Sequence, residues 1–476
     1  MKMLDDLLAK RGVDPVRLRE HLRLAPDTVR TLRRVGLAGE LLRSPTVTWR
    51  ALGGERPSLR TIHRLVAAKH PERLAVSDPA RKLTYAQMDD AIDRVANVLH
   101  DRFEIRPRDR VVLMSENRVE YLVLLFALFR LGAAAVHASY ESRTDELEYV
   151  LTHSHARLLC ASTRALPVAA QVAARHDHGA FPVLLIDGLH ERDRGAEEHH
   201  KARVVSLATS FAHARGTPLP PRDEGQSVVY TSGTTGRPKG AVRNFAALTV
   251  TDLACILERL PFSVGERHLV VGRLYHSAAQ AFASIATTLG GTVVLRPKFE
   301  PAQLWTDIDA EQIQSLFLVP NMLDRALRDE AEATRSSPLP SLRAIVCGAA
   351  PFPQPLRERT AQRLGAERFF DFYGATELGW VTLANGVEML ARPNTLGKPI
   401  RGQEIAIRDT DGKPLWPNEV GIVWTRSAQR MEHYIGDEKA TQDTIRGDGW
   451  ATVEDLGFVD GEGYLFLGGR ARDMVI

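Results

Sequence analysis

The first sixty residues carry apolar side chains at helical spacing, Leu4, Leu7 and Leu8 and then Val29, Leu32 and Val35, with arginines between them and Pro15, Pro26, Pro45 and Pro57 as breaks. That pattern predicts short amphipathic helices. From residue 61 the character alternates. Leu83–His100 has the period of an amphipathic helix, Asp109–Asn117 reads as a strand running into a polar turn, and Tyr121–Leu131 is apolar on nearly every side, as a buried helix is. Further strand-like runs lie at Ala156–Cys160, Val183–Asp187, Ser227–Tyr230, His268–Val271, Thr292–Leu295, Ser315–Val319 and Leu342–Cys347, mostly with helical stretches between them. This order predicts an α/β fold of layered subdomains with largely parallel sheets. After residue 395 short runs such as EIAIRDTDGKPL, NEVGIVWTR and GFVDGEGYLFLGG are punctuated by Asp411-Gly412, Asp448-Gly449 and Asp460-Gly461, the turn pairs of a mainly antiparallel β subdomain. The expected organisation is a basic helical extension over 1–60, αβ layers over 61–395, a β-rich subdomain over 396–470 and a hinge at 471–476.

A chain of 476 residues has room for two to four folding units at about 100 to 200 residues each. Its longest apolar run, Tyr121–Phe129, is followed by Arg130 and falls well short of the ~20 residues of a membrane span. The opening MKMLDDLLAKRG has acidic residues where an export leader needs an apolar stretch. Cys160, Cys255 and Cys347 are widely spaced and form neither a disulfide framework nor a zinc motif, which suits a reducing cytoplasm. Net charge is only +3, so nucleic acid is not expected as a partner. The charge is uneven, however, because residues 1–73 hold 16 Lys and Arg against 8 Asp and Glu. Two readings of the extension stay open: a cap packed on the main body, or a basic surface for peripheral contact with anionic lipid at the inner membrane face.

The sharpest chemical feature is Tyr230-Thr231-Ser232-Gly233-Thr234-Thr235-Gly236-Arg237-Pro238-Lys239-Gly240, directly after an apolar strand. Glycines let the backbone approach a ligand, hydroxyls and exposed N–H groups donate to phosphate oxygens, and Lys239 adds positive charge. The spacing differs from that of a Walker loop. A second cluster is Asp371-Phe372-Tyr373-Gly374-Ala375-Thr376-Glu377, which offers an aromatic face, a hydroxyl and a hard oxygen ligand suited to Mg²⁺.

These two stretches together resemble the signatures of the adenylate-forming superfamily, which holds acyl- and aryl-CoA synthetases, peptide-synthetase adenylation domains and beetle luciferases. The likeness extends to Gly447–Gly457, similar to the family element ending T-G-D-L-G, although V-E-D stands here where the family has T-G-D. It also takes in Gly348-Ala349-Ala350-Pro351, Tyr275-His276-Ser277, where Arg273 replaces the usual proline, and Gly469-Arg470-Ala471-Arg472-Asp473. The resemblance implies ATP, Mg²⁺ and coenzyme A as cofactor and co-substrates. Thr231, Ser232, Gly233, Thr234, Thr235, Gly236 and Lys239 would hold the β- and γ-phosphates, with Thr376 on the α-phosphate and Glu377 on the metal. Asp371 would accept from the adenine amino group, Tyr373 would offer the base a face with Gly374 permitting close approach, Gly348, Ala349 and Ala350 would line the adenine, and Phe372 counts among the nucleotide-binding residues. Asp455 and Arg470 would serve the ribose, and His276 the acyl carboxylate. Thr376, Glu377, His276 and Lys239 are thus the expected catalytic residues.

The expected reaction is ATP-dependent activation of a carboxylic acid, with a fatty acid preferred because Ala278, Ala279, Phe282, Ala349 and Trp380 suggest an apolar tunnel. An aryl acid, a carrier-protein acceptor and a non-catalytic nucleotide- or acyl-binding module are the alternatives. The resemblance further implies a small α+β domain of roughly ~100 residues beyond a hinge at Arg472, supplying a lysine. The sequence reads as the large domain that precedes it, so adenylation by this chain alone is expected to be slow and thioester formation to fail.

Overall fold

The computed structural model describes residues 15–52, 58–176, 178, 180–188, 203–220, 225–231, 237–244, 249–330 and 337–470. Its apolar runs assemble into two large sheets whose middles are parallel. The eight-stranded sheet runs His433–Tyr434, Lys239–Arg243, Gln226–Thr231, Ala134–Ala138, Arg110–Met114, Leu158–Ala161, Pro182–Leu185, Arg203–Ser206 in spatial order. The nine-stranded sheet has Ala344–Gly348, Phe369–Ala375 and Gly379–Asn385 side by side toward one edge. Strands buried on both faces need helices on both sides, which explains why their sequences are continuous apolar runs and not alternating ones. The Val119–Leu131 helix is buried along its whole length, as its all-round apolar sequence requires. At the seam of the two sheets Asn117 Nδ2 donates to the Gly272 carbonyl at 2.7 Å and to that of Arg296 at 3.1 Å, and Asn117 Oδ1 accepts from Leu274 N at 2.8 Å.

The third sheet is antiparallel and is built from Glu404–Arg408, Gly421–Arg426, Trp450–Ala451, Asp455–Val459 and Leu465–Arg470. It is not self-contained. Lys398–Pro399 pairs in the nine-stranded sheet, and His433–Tyr434 leaves to pair with Lys239–Arg243, which ties this part of the chain to the strand that follows the phosphate-type loop.

The N-terminal extension forms helices α1 (Pro15–Arg34), α2 (Leu37–Leu42) and α3 (Pro45–Leu52), followed by α4 (Ile62–Lys69). Leu4, Leu7 and Leu8 lie outside the described residues. Leu32, Val35 and Leu37 share one apolar cluster with Leu253, Leu257 and Phe282. Polar staples reinforce that packing: Arg34 donates to the Leu257 carbonyl and, at 2.9 Å, to that of Leu260, and Val264 N donates to the Val35 carbonyl at 2.8 Å. The extension is therefore a packed cap on its inner side, while its outer side leaves Leu42 and Trp49 exposed. Among the described residues no helix is long and apolar enough to cross a membrane.

Candidate active site

The site gathers at the meeting of the three sheets, beyond the carboxyl ends of parallel strands, where open α/β sheets leave a crevice. The eight-stranded sheet contributes Thr231 and Lys239, which face each other across the antiparallel ladder and so bring the two ends of the glycine-rich loop together. Ser232, Gly233, Thr234, Thr235 and Gly236, between them, lie outside the described residues. The loop's return is fixed by Tyr149, whose hydroxyl donates to the Pro238 carbonyl at 2.8 Å. Lys239 Nζ sits 3.6 Å from Asp437 Oδ2 and 5.5 Å from the centre of the Tyr434 ring.

The nine-stranded sheet contributes the second motif. Alternation along Phe369–Ala375 sends Phe370 and Phe372 to one face and Asp371 and Tyr373 to the other. Phe372 is stacked on Trp380 with ring centres 4.8 Å apart and packs on Phe317, so its ring belongs to the apolar core. Asp371 is 2% exposed and faces Arg357, itself 2% exposed, at 3.3 Å, so a guanidinium already neighbours the carboxylate expected to accept from an adenine amino group. Burial raises the Asp371 carboxyl pKa to about 7, against the opposing pull of Arg357.

Gly348 and Gly374 are small for reasons internal to the protein. A Cβ on Gly348 would stand 2.6 Å from the Phe372 ring, and one on Gly374 would stand 2.3 Å from the Gly379 carbonyl. Ala349 and Ala350, beside them, are exposed, and Ala349 holds φ at +62°. A non-glycine residue in that conformation is the kind of local strain that gathers at functional loops.

Glu377 is the centre of the arrangement. It is 7% exposed, and its Oε1 accepts from the Thr231 hydroxyl at 3.0 Å and from the Tyr434 hydroxyl at 2.9 Å, while its carbonyl accepts from Met431 N at 2.9 Å. Burial, and then the Glu377 charge, push the Tyr434 hydroxyl pKa up, so Tyr434 stays a donor. Arg243, buried nearby, donates to the Gln429 carbonyl at 2.7 Å. Burial lowers its pKa to about 10 against the raising effect of Glu377, which leaves it a cation at neutral pH. The Thr376 hydroxyl lies 3.3 Å from that of Ser277. That contact sets Thr376 at the start of the Ser277–Thr288 helix, next to its N-cap His276. The surrounding protein, and then the Arg273 charge, lower the His276 pKa and keep the imidazole neutral. Arg273 itself donates to the Tyr275 hydroxyl at 2.6 Å and pairs with Glu141 at 2.7 Å.

The antiparallel sheet contributes Asp455, which accepts from the Tyr373 hydroxyl at 2.7 Å. Arg470 pairs with Asp455 in strand register. Glu454, which stands where the resembling family has glycine, holds φ at +62°. The backbone thus keeps a glycine-type conformation without the glycine, and Glu454 N is steadied by the Thr452 hydroxyl at 2.9 Å. A left-handed conformation costs a side chain about 1 to 2 kcal/mol, and glycine gives back roughly 0.5 to 1 in unfolded-chain entropy. With the contacts of the Glu454 side chain set against that relief, Glu454→Gly is expected to change stability by no more than about 1.5 kcal/mol, read as a small shift in melting temperature, and a larger loss would show that the side chain and not the conformation holds the turn.

Beside these groups opens a cavity of about 870 Å³, counting space open to solvent. Arg243, Gln429 and Trp380 line it together with Val250, Leu253 and Ile256 of one helix and Ala281, Ser284 and Ile285 of the Ser277–Thr288 helix. Of the residues expected along an apolar tunnel, Trp380 does line it, whereas Phe282 and Ala279 are buried in the apolar cluster behind it. Arg243 and Tyr434 were not expected from the sequence. An arginine ending the otherwise small and apolar run Gly240-Ala241-Val242 was the signal for the first, while Tyr434 gave none.

Glu377 and the Thr231 hydroxyl are hard oxygen donors held 3.0 Å apart. Mg²⁺ is ordinarily bound by one or two carboxylates together with substrate phosphates, so this donor set fits a magnesium ion that arrives with ATP.

A family model described as AMP-binding enzyme matches residues 64–435. A feruloyl-CoA synthase of Amycolatopsis sp. is 31% identical over 412 residues, covering 86% of this chain and 78% of that protein. The long-chain-fatty-acid–CoA ligase FadD13 of Mycobacterium tuberculosis is 27% identical over 417 residues, with the same two coverages of 86% and 78%. Among solved structures, the amide bond synthetase McbA from Marinactinospora thermotolerans superposes with a TM-score of 0.74 at 26% identity, covering 88% of this chain and 80% of that one.

Proposed function

The chain belongs to the AMP-binding enzyme family and is an AMP-forming acid–CoA ligase by its relatives, and on that premise we propose that the acid it activates is a fatty acid. In the first half-reaction a carboxylate oxygen attacks the α-phosphorus of ATP in line, and the bond to the β-phosphate breaks with its electron pair leaving on pyrophosphate. In the second, the thiol of coenzyme A attacks the acyl carbonyl, loses its proton and releases AMP. Neither step needs a covalent protein group. Positioning and neutralisation of charge carry the rate.

In this reading Lys239 and the loop from Thr231 hold the β- and γ-phosphates. Thr376 donates to the α-phosphate, and Tyr373 and Asp455 hold the nucleoside, Asp455 accepting from the ribose hydroxyls. Glu377, kept in place by Thr231 and Tyr434, is the carboxylate for Mg²⁺, which supplies charge neutralisation on the phosphate oxygens when bound. His276, neutral at physiological pH, sits where it can donate to the acyl carboxylate without binding it as a fixed ion pair.

The observation that carries the fatty-acid reading is the cavity of about 870 Å³, which adjoins this site through Arg243 and is walled by aliphatic side chains. Ligand pockets are lined mainly by apolar side chains with a few placed polar groups, and Leu253, Ile256 and Ile285 with Arg243 at the mouth suit an extended aliphatic tail. Isothermal titration with dodecanoyl- and feruloyl-sulfamoyl adenosine tests it. The dodecanoyl compound is expected to bind at least about tenfold more tightly, a difference of ~1.4 kcal/mol. The reverse order would make the substrate an aryl acid, and no binding of either would favour a non-catalytic module.

A further inference from the structure

The family match begins at residue 64, yet Leu37, Ser58, Leu59 and Ile62 line the large cavity. One of its walls therefore comes from chain outside the family-matched segment. Behind that wall lies a second cavity of about 330 Å³, counting space open to solvent, which shares Leu37, Ile62 and Thr288 with the first and adds Leu65, Val66, Val264 and Leu289 beside the polar side chains of Glu40, Lys69 and His70. Those three shared residues stand between the two chambers.

The wall is held firmly. Lys69 donates to the Glu40 carbonyl and, at 2.9 Å, to the Arg43 carbonyl, and His70 Nε2 meets Glu40 Oε2 at 2.8 Å. On the other side of Leu37, Arg34 at the end of α1 and Val35 after it are joined to the chain around residues 257–264. The cap is thus pinned on both sides of Leu37, which is 7% exposed.

We infer that the N-terminal extension is the end wall of the acyl site, and that Leu37, Leu59 and Ile62 fix the longest aliphatic tail the protein accepts. This inference rests on the cavity being the acyl site. Each methylene moved from water into an apolar chamber strengthens binding by about fourfold. The gain continues until the tail meets the wall. Beyond it, further carbons must push the packed leucine and isoleucine side chains aside, and that overpacking offsets what their burial gains. Because the wall is made of side chains and not of backbone, its position moves with their size. Leu37→Trp shortens the chamber, and Leu37→Ala joins it to the second cavity.

A series of acyl-sulfamoyl adenosines with tails of increasing length, from butanoyl to octadecanoyl, titrated into the full chain reads the wall directly. Affinity is expected to rise with length by about fourfold per methylene and then to stop rising at a break. In Leu37→Trp the break should come about two to four carbons earlier, and in Leu37→Ala later, with the shortest compounds bound within about twofold of the unsubstituted protein. A break at the same length in all three proteins overturns this inference alone. If the unsubstituted protein binds none of the series, the acyl-site reading itself fails, and the end wall with it. A second measurement does not depend on the substitutions. An acyl-sulfamoyl adenosine of the break length carrying a diazirine on its terminal carbon should, on irradiation, label peptides containing Leu37 or Leu59–Ile62. Label confined to the helices at Val250–Leu257 and Ser277–Thr288 would overturn the assignment.

Discussion

Glu377→Gln is expected to lower adenylate formation by about a hundred- to a thousandfold, the size of effect seen when one charge-stabilising group is taken from a transition state, ~2.7 to 4 kcal/mol. The amide keeps a carbonyl oxygen that can still accept from Thr231 and Tyr434, so the fold and the 3.0 Å and 2.9 Å contacts need not be lost. What disappears is the negative charge beside the phosphate-binding residues. Pyrophosphate release measured with saturating ATP and Mg²⁺, alongside a melting curve, separates the two effects. Turnover within about twofold of the unsubstituted protein, below ~0.5 kcal/mol of barrier, would mean that Glu377 is a structural acceptor for the two hydroxyls and holds no metal. Glu377→Ala is the harsher variant. It takes the Glu377 acceptor from the Tyr434 hydroxyl in a buried place, at about 1 to 3 kcal/mol of stability, and confuses folding with chemistry.

Asp455→Ala is expected to weaken ATP and an acyl-adenylate mimic together, each by about 10- to 100-fold, since a hydrogen bond to a charged acceptor contributes ~1.5 to 3 kcal/mol. Asp455 already accepts from the Tyr373 hydroxyl, so the substitution also frees the tyrosine. Tyr373→Phe separates these contributions: it removes the tyrosine hydroxyl while leaving the carboxylate for the ribose. Titration of both variants with ATP is the measurement. If Tyr373→Phe weakens ATP as much as Asp455→Ala does, the carboxylate acts by orienting Tyr373. If neither changes ATP affinity, the nucleoside is bound elsewhere.

Much of this was legible in the chain itself. Continuous apolar runs alternating with helical periods specify a layered α/β fold because a strand covered on both faces has no polar side. The glycine- and hydroxyl-rich stretch after Tyr230 announces phosphate chemistry, and Glu377 and Asp455 announce charge, because such residue types have few other uses in those contexts. Even the Glu454 departure was visible, though only the backbone shows that a glutamate now holds the glycine's conformation at φ +62°.

The tertiary structure decided which groups those residues meet. Period two places Asp371 and Phe372 on opposite faces of one strand but is silent about what lies on each face, and only the packed layers show Arg357 on one side and Trp380 on the other. Glu377 is fixed by Thr231, 146 positions before it, and by Tyr434, 57 positions after it. The large cavity owes part of its wall to Leu37, Leu59 and Ile62, whose sequence says only that they are apolar. Local sequence sets backbone conformation and the polarity of each face, since these depend on near neighbours. The partner of a side chain is set by how layers stack, and stacking joins residues far apart in the chain through packing that no short window contains.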